Sequence, residues 1–348
     1  MVAVLLEGPA GNCDLVAGRH PRVRVGVRLG QDRGMARIGS SELDVLPLVL
    51  GGNVFGWTAD EATSFAVLDA FADAGLGMVD TADVYSAWAP GNRGGESEEV
   101  LGRWAASRGR DRVVIATKVA KHPQLPGLSA ATIRTACEDS LRRLQTDRID
   151  LYYAHEDDES VPLEETLGAF DALVREGKVR HVAASNFTAE RLAASLEVSD
   201  RDGLTRYVAL QNHYNLLERE YEGPVRDLVA QEGLVSLPYF GLASGFLTGK
   251  YRPGTTVDSA RAGGAARYLE PPQLQRSSRV LAVLDEVAAA HSVAVATVAL
   301  AWLLAQPTVA APIASARTPE QLVDLLAVTS LELTPHELAA LTLASQVD

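Results

Sequence analysis

The run "MVDTADVYSAW", residues 78–88, leaves an apolar stub and sets Asp80, Asp83 and Tyr85 within six positions. Two later apolar segments end on side chains that such segments seldom close on: "VVIATK" stops at Lys118 and "IDLYYAH" stops at His155. Each has an ordinary structural reading. The first is a strand end followed by a polar turn, since Asp and Thr favour such positions; the second is a snorkelling surface lysine; the third is a structural histidine. Read together, Asp80, Tyr85, Lys118 and His155 make one chemical set. A tyrosine is a poor acid at neutral pH, with a reference pKa of ~10. A neighbouring ammonium, here Lys118, stabilises the phenolate and lowers that value. Asp80 holds the lysine charged and aimed, and His155 orients a substrate oxygen. A phenol that gives a proton to a carbonyl oxygen completes a reduction when a hydride reaches the carbon. Protein side chains do not supply hydrides, so a nicotinamide cofactor is implied.

Such a set works only if the fold gathers it. From about residue 37 onward, strand-like and helix-like segments alternate: "PLVLGGN", "GMVDTA", "RVVIATKV", "RIDLYYAH", "VRHVAAS", "YVALQN", "LVSLPYF" and "TVAAPIAS" are each followed by an amphipathic stretch. The spacing predicts a helix from about Asp60 to Ala74 stopped by Gly75. It predicts another capped at Ser129 with an apolar stripe of Ile133, Cys137, Leu141 and Leu144. Further helices are expected near residues 278–291 and 294–305, and after Thr334. Apolar strands alternating with helices argue for a parallel sheet. Eight units in about 300 residues argue for an α/β fold of the (β/α)8 TIM-barrel type, in which the C-terminal ends of the strands share one mouth. An open doubly wound sheet is the runner-up, weakened because no G-x-G-x-x-G follows a strand. A short N-terminal hairpin is expected over residues 36–47. A long Gly/Pro-rich loop is expected after strand seven, at residues 241–276, and loops of that length are either disordered or functional. Residues 1–34 lack any sustained period and read as a disordered extension or the product of an upstream start; residues 35–348 read as a single barrel domain.

The ordered motifs resemble the aldo-keto reductases over nearly everything but the extension. "DTADVY" is similar to that family's Asp-Thr-Ala-x-x-Tyr signature, and "IATK" and "DLYYAHEDD" fall in order where its lysine and histidine lie. The resemblance implies Tyr85 as general acid–base, Asp80 and Lys118 as its tuners and His155 as orienter. It also implies NADP(H). "AASNF" resembles the segment whose Ser185 and Asn186 bond the nicotinamide carboxamide, with Ala183 in place of a glycine. "LQNHYNLLER" places Gln211 at the same amide. "LPYFGLASGFLTGKYR" implies Tyr239 stacked on the nicotinamide, with Leu242 and Lys250 at the cofactor, although Phe240 and Gly241 replace Ser-Pro. "ASARTPEQLVD" implies Arg317 at the 2′-phosphate, where a guanidinium suits a phosphate dianion, and Gln321 and Asp324 at the adenosine; Leu325 stands where the family often has Asn. The equivalent of the long loop folds over the cofactor in that family.

Two alternatives stay open. A metal-dependent hydrolase would use "HEDDE" at residues 155–159, but the chain lacks an early H-x-H pair and Lys118 would repel a cation. A non-enzymatic nicotinamide-binding regulatory subunit would keep the same four residues. Trp57 and Trp88 are candidates to wall an apolar substrate pocket. With 348 residues, 47% hydrophobic and 22% charged, the chain needs no disulfide staples. Its two cysteines, Cys13 and Cys137, make no framework and fit a reducing cytoplasm. A net charge of −13 without a basic block argues against nucleic acid. No apolar run approaches the ~20 residues of a membrane span. The expected partner is a small carbonyl or alcohol substrate.

Overall fold

A computed structural model describes residues 34–347; the expectations for Cys13 and for almost all of residues 1–34 lie outside the described residues. Strand β1 (Ala36–Arg37) pairs antiparallel with β2 (Asp44–Val45). There follow β3 (Val49–Gly51), β4 (Gly77–Asp80) and β5 (Val113–Val119), a short antiparallel pair of β6 (Lys121–His122) with β7 (Leu125–Pro126), and then β8 (Ile149–Ala154), β9 (Val179–Ser185), β10 (Tyr207–Gln211), β11 (Val235–Ser236) and β12 (Ile313–Ala314). Eight of these form one parallel sheet in the order β11-β10-β9-β8-β5-β4-β3-β12. The two ends of that order meet: Ser236 N donates to Thr308 O, Ala310 N to Ser236 O, and Ile313 N to Pro238 O, at 2.8–3.0 Å. The curled sheet therefore has no long free edge. The strands coincide with the eight apolar segments of the sequence; the β6–β7 pair had no signal of its own there.

Helices α1 (Glu61–Ala74), α2 (Glu96–Arg108), α3 (Ala130–Leu144), α4 (Leu163–Arg175), α5 (Ala189–Asp202) and α6 (Pro224–Gln231) alternate with the strands. After β11 come α7 (Ala262–Ala266), α8 (Gln273–His291) and α9 (Val295–Leu304), and after β12 come α10 (Pro319–Leu326) and α11 (Pro335–Ala344). Local chemistry sets the ends. Asp60 accepts from Thr63 N at the start of α1, and Gly75 ends it at φ +142°. Ser129 accepts from Thr132 N at the start of α3, whose Ile133, Cys137, Leu141 and Leu144 are all buried. Thr334 and Glu337 close a reciprocal capping box on α11. Helix α8 begins earlier than the sequence pattern indicated, and no described helix is by itself long and apolar enough to cross a membrane.

Strand alternation sorts the core into two layers. Met78, Val114, Ala116, Leu151, Tyr153, Ala183 and Ala209 point inward, while Ile115, Tyr152 and Ala154 face the helices. The β1–β2 turn seals one end of the interior: Ile38, Leu43 and Val45 pack among Val208, Ala209 and the other inward residues. Gly39, at φ +56°, makes that seal possible, because a Cβ there would stand 2.1 Å from Val208 O. The opposite end, where the parallel strands finish, is left for a site.

Candidate active site

Asp80 is the last residue of β4, Lys118 the last but one of β5, and His155 follows β8 directly. Tyr85 lies on the β4–α2 loop. The fold brings all four to the open end, and three of them touch. Lys118 Nζ lies 2.7 Å from Asp80 Oδ2, donates to Tyr85 OH at 2.9 Å and to Thr81 O at 2.8 Å. Tyr85 OH in turn donates to Asp80 Oδ2 at 3.2 Å. Lys118 is 0% exposed, so the snorkelling reading does not hold. A buried ammonium persists only where its charge is met. Asp80 meets it, and breaking such a pair from one side costs about 3–5 kcal/mol.

Burial, only partly opposed by Asp80, pulls the Lys118 ammonium below its ordinary value. Burial, then the charge of Asp80 and the hydrogen bond to it, holds the Tyr85 phenol well above 10. This differs from the expectation that Lys118 lowers it: in a buried site with Asp80 3.2 Å from the hydroxyl, the resting phenol keeps its proton. His155 stands edge-on to Tyr85 with ring centroids 6.1 Å apart. Burial, then the charges of Lys118 and Lys121, holds it well below 6.5, so it is neutral, and its Nδ1 is buried without a partner.

These residues open on a cavity of about 550 Å³. Ser185, Asn186, Gln211, Tyr239, Leu242, Lys250, Arg317, Gln321 and Asp324 all line it, as do Asp80, Tyr85 and His155. Several are already engaged. Gln211 Nε2 donates to Asp80 Oδ1 at 2.9 Å. Asn186, at φ +58°, donates to His155 O and Ser185 Oγ and accepts from Tyr239 OH at 2.7 Å. Gln321 Oε1 accepts from Arg317 N at 3.0 Å. His213 stacks on one face of the Tyr239 ring, with centroids 5.4 Å apart and planes 17° from parallel. Trp88 is on the cavity wall and 49% exposed. Trp57 packs edge-on against it at 5.7 Å and so backs the wall rather than forming it. Among the described residues no cluster of His, Cys, Asp and Glu is arranged to hold a metal ion.

Sequence reasoning missed Arg261. It comes from the long loop, which also lends Ser259 and Ala260 to the wall, and its guanidinium lies over the Trp57 ring at 5.8 Å. Burial, opposed by Tyr85 and reinforced by Arg317, pulls it below the usual arginine value. One small link was missed as well: Ser315 Oγ donates to Asn53 Oδ1 at 2.7 Å, tying the end of β12 to that of β3 at the cavity wall.

The model of the "Aldo/keto reductase family" matches residues 47–345. The chain belongs to the aldo/keto reductase family. It is similar to the "Uncharacterized oxidoreductase YrpG" of Bacillus subtilis (strain 168), 36% identical over 308 residues that cover 85% of this chain and 91% of the relative. It is similar to "Protein tas" of Escherichia coli (strain K12), 33% identical over 337 residues covering 89% and 97%. It is also similar to "Aldo-keto reductase AMT2" of Alternaria alternata, 33% identical over 336 residues covering 86% and 88%. An aldo/keto reductase is an oxidoreductase of carbonyl groups, and the curled eight-stranded parallel sheet fits the barrel of that family.

Proposed function

We propose that this aldo/keto reductase reduces an aldehyde or ketone to the alcohol, reversibly, with NADPH as cofactor and Tyr85 as proton donor. The observation that carries the reading is the Tyr85 hydroxyl, held between Lys118 Nζ and Asp80 Oδ2 on the wall of a cavity of about 550 Å³. That volume lies in the usual range for small-molecule sites. The fit of a phosphorylated dinucleotide rests on charge. In a chain of net charge −13, Lys250, Arg261 and Arg317 line this cavity with no carboxylate partner among the described residues. Arg317 also precedes the N-terminus of α10, which favours anions. Ser185, Asn186, Gln211 and Tyr239 would hold the nicotinamide end, Leu242, Lys250 and Arg261 the pyrophosphate, and Arg317, Gln321 and Asp324 the adenosine 2′-phosphate end. When bound there, NADPH supplies the hydride for the carbonyl carbon.

The chain's own part is the proton. Tyr85 turns its O–H from Asp80 to the carbonyl oxygen. Asp80 loses that one bond but keeps Lys118 and Gln211 as donors, so its charge stays met. Lys118, still donating to the Tyr85 oxygen, stabilises the phenolate left behind. An alkoxide is far more basic than a phenolate, so the transfer runs downhill even from a phenol held above its ordinary value. Neutral His155 and Trp88 frame the substrate oxygen and its apolar remainder. A small-molecule substrate, no nucleic-acid or membrane partner, and a cytoplasmic setting complete the reading.

The test is Tyr85→Phe. General acid catalysis contributes ~10²–10⁴-fold, so carbonyl reduction should fall by that factor while NADPH binding, read by fluorescence titration, stays within about twofold of wild type. Retention of most of the rate would remove Tyr85 from the role. Absence of turnover across a panel of aldehydes and ketones by a protein that binds NADPH would favour the regulatory-subunit alternative.

A further inference from the structure

Behind Lys118, on the outer side of the sheet, lies a buried polar cluster that the carbonyl chemistry does not use. Its centre is Asp83, two residues before Tyr85, whose N–H donates to Lys118 O at 3.3 Å. The side chain is 1% exposed, and neither carboxyl oxygen has a hydrogen-bond partner. The groups packed around it come from five elements. Glu98 on α2 is fully buried and accepts from Thr117 Oγ1 at 2.5 Å and from Arg143 Nε at 2.6 Å. Arg143 and Asp139 lie on α3, the latter paired with Arg142. Lys118 is on β5, His122 on β6, and Tyr152 on β8, with its hydroxyl also unpartnered. A second cavity, of about 160 Å³, is lined by Asp83, His122, Gln124, Thr135, Asp139 and Arg143. Asp83 thus borders a cavity separate from the main site.

The hydrogen-bond inventory identifies which acid here is neutral. Asp80, Asp83 and Glu98 face only Lys118 and Arg143 as buried or half-buried cations, one negative charge in excess. Asp80 receives three donors and Glu98 two. Asp83 feels only the nearby Val84 N–H, which does not reach hydrogen-bond geometry, and a buried carboxylate so poorly supplied with donors is the one that takes a proton. We propose that Asp83 is a proton-exchanging positioning residue: neutral, it completes the charge balance behind Lys118, and when it releases its proton through the outer cavity the added negative charge turns down proton donation by Tyr85.

Burial, then the charge of Glu98, pushes the Asp83 carboxyl up to about 8, against the opposing pull of Arg143, the Val84 N–H and Lys118. His122, held below its usual value by burial and Arg143, is neutral where Asp83 titrates. The sign follows. Tyr85 becomes an anion when it gives up its proton, and a second anion beside Lys118 opposes that, so reduction slows as pH rises through the Asp83 ionisation.

This rests on the reading of Tyr85 as proton donor, and the experiment separates the two. The wild-type protein and Asp83→Asn are titrated from pH 6 to 10 in two ways: by infrared difference spectra of the carboxyl groups, and by NADPH-dependent reduction of 4-nitrobenzaldehyde. The wild type should lose one protonated-carboxyl band near pH 8, and its rate should fall through the same midpoint by roughly tenfold, the worth of one pKa unit on the acid. Asparagine mimics the neutral form, so Asp83→Asn should lack both the band and the fall. Glu98→Gln should move both to lower pH, since it removes the neighbouring charge. No protonated-carboxyl band in the wild type at pH 7, or an unchanged profile in Asp83→Asn, overturns the proposal. If neither protein turns over, the carbonyl-reductase reading fails, while the infrared band still decides where the proton resides.

Discussion

Arg261 and Arg317 show how a single residue's role depends on what it lacks. Most arginines among the described residues sit on a carboxylate, as Arg143 does on Glu98 and Arg191 on Asp157. These two have no such partner among the described residues, and the charge of Arg317 helps to hold Arg261 below its usual value. Their positions lead to different expectations. Arg317 precedes Thr318, which caps α10 by accepting from Gln321 N, so a 2′-phosphate there meets both a guanidinium and a helix N-terminus. Arg317→Ala should raise the NADPH dissociation constant by roughly tenfold to a hundredfold, the worth of a charge-assisted contact of ~1.5–3 kcal/mol, and barely change that for NADH. Arg261 lines the same cavity and lies within reach of the charges of both Tyr85 and Arg317, and we propose that it meets the pyrophosphate that both cofactors carry. Arg261→Ala should weaken both alike. Titration of each cofactor into each variant checks this; equal losses for NADPH and NADH in Arg317→Ala would remove it as the phosphate reader. The sequence pointed to Arg317 through the resemblance of "ASARTPEQLVD" to the family's cofactor segment; the apolar strand and capped helix that flank it are ordinary on their own. It hid Arg261, whose loop has no period and whose neighbour Tyr85 is far away along the chain. Asp83 was visible as a polar residue, but its lack of a hydrogen-bond partner is a property of the fold alone.

Elements were legible where local chemistry marks their ends. Asp60, Ser129, Thr318 and Thr334 each cap the helix that the sequence placed after them. What the sequence did not carry is how closely two helices approach. Gly102 in α2 lies against the end of α3: a Cβ there would stand 2.2 Å from Arg143 O and 2.7 Å from Leu144 C. These are the helices that deliver Glu98 and Arg143 to one another. Helix propensity alone predicts that Gly102→Ala is stabilising by roughly 0.5–1 kcal/mol. The backbone contact predicts the reverse, since overpacking costs about 1–3 kcal/mol. The second effect should win, because backbone atoms cannot swing aside as a side-chain tip can. Thermal unfolding should show a lower midpoint for Gly102→Ala; a raised one would mean that α2 and α3 separate at little cost. The β6–β7 pair teaches a related lesson. Two residues a side leave no alternation to detect, yet it sets His122 over the Asp83 cavity.

At the scale of the molecule, the candidate site and the closure sit at opposite ends of the curled sheet, and this separates what residues 34–45 do from the proposed chemistry. The β1–β2 turn contributes no residue to the cavity of about 550 Å³ but puts Ile38, Leu43 and Val45 into the far end of the interior. All three are at most 3% exposed. Full burial of such side chains is worth about 1.5–3 kcal/mol each, and a whole domain is stable by only ~5–15 kcal/mol. The seal therefore accounts for a large part of the margin. We propose that residues 1–34 add no chemistry and that residues 35–348 act as one unit, which yields a paired expectation. A chain started at Met35 keeps the seal, including the Arg37–Asp44 ion pair at 2.7 Å, and should fold and reduce carbonyl substrates at the full-length rate. A chain started at Leu46 exposes the inward side chains of Val208 and Ala209 and should be insoluble or unfold far more readily. Denaturant unfolding and turnover of the two truncated chains decide the matter. Loss of activity in the Met35 chain would show that the preceding residues reach the site; an undiminished Leu46 chain would show that the strands close without the turn.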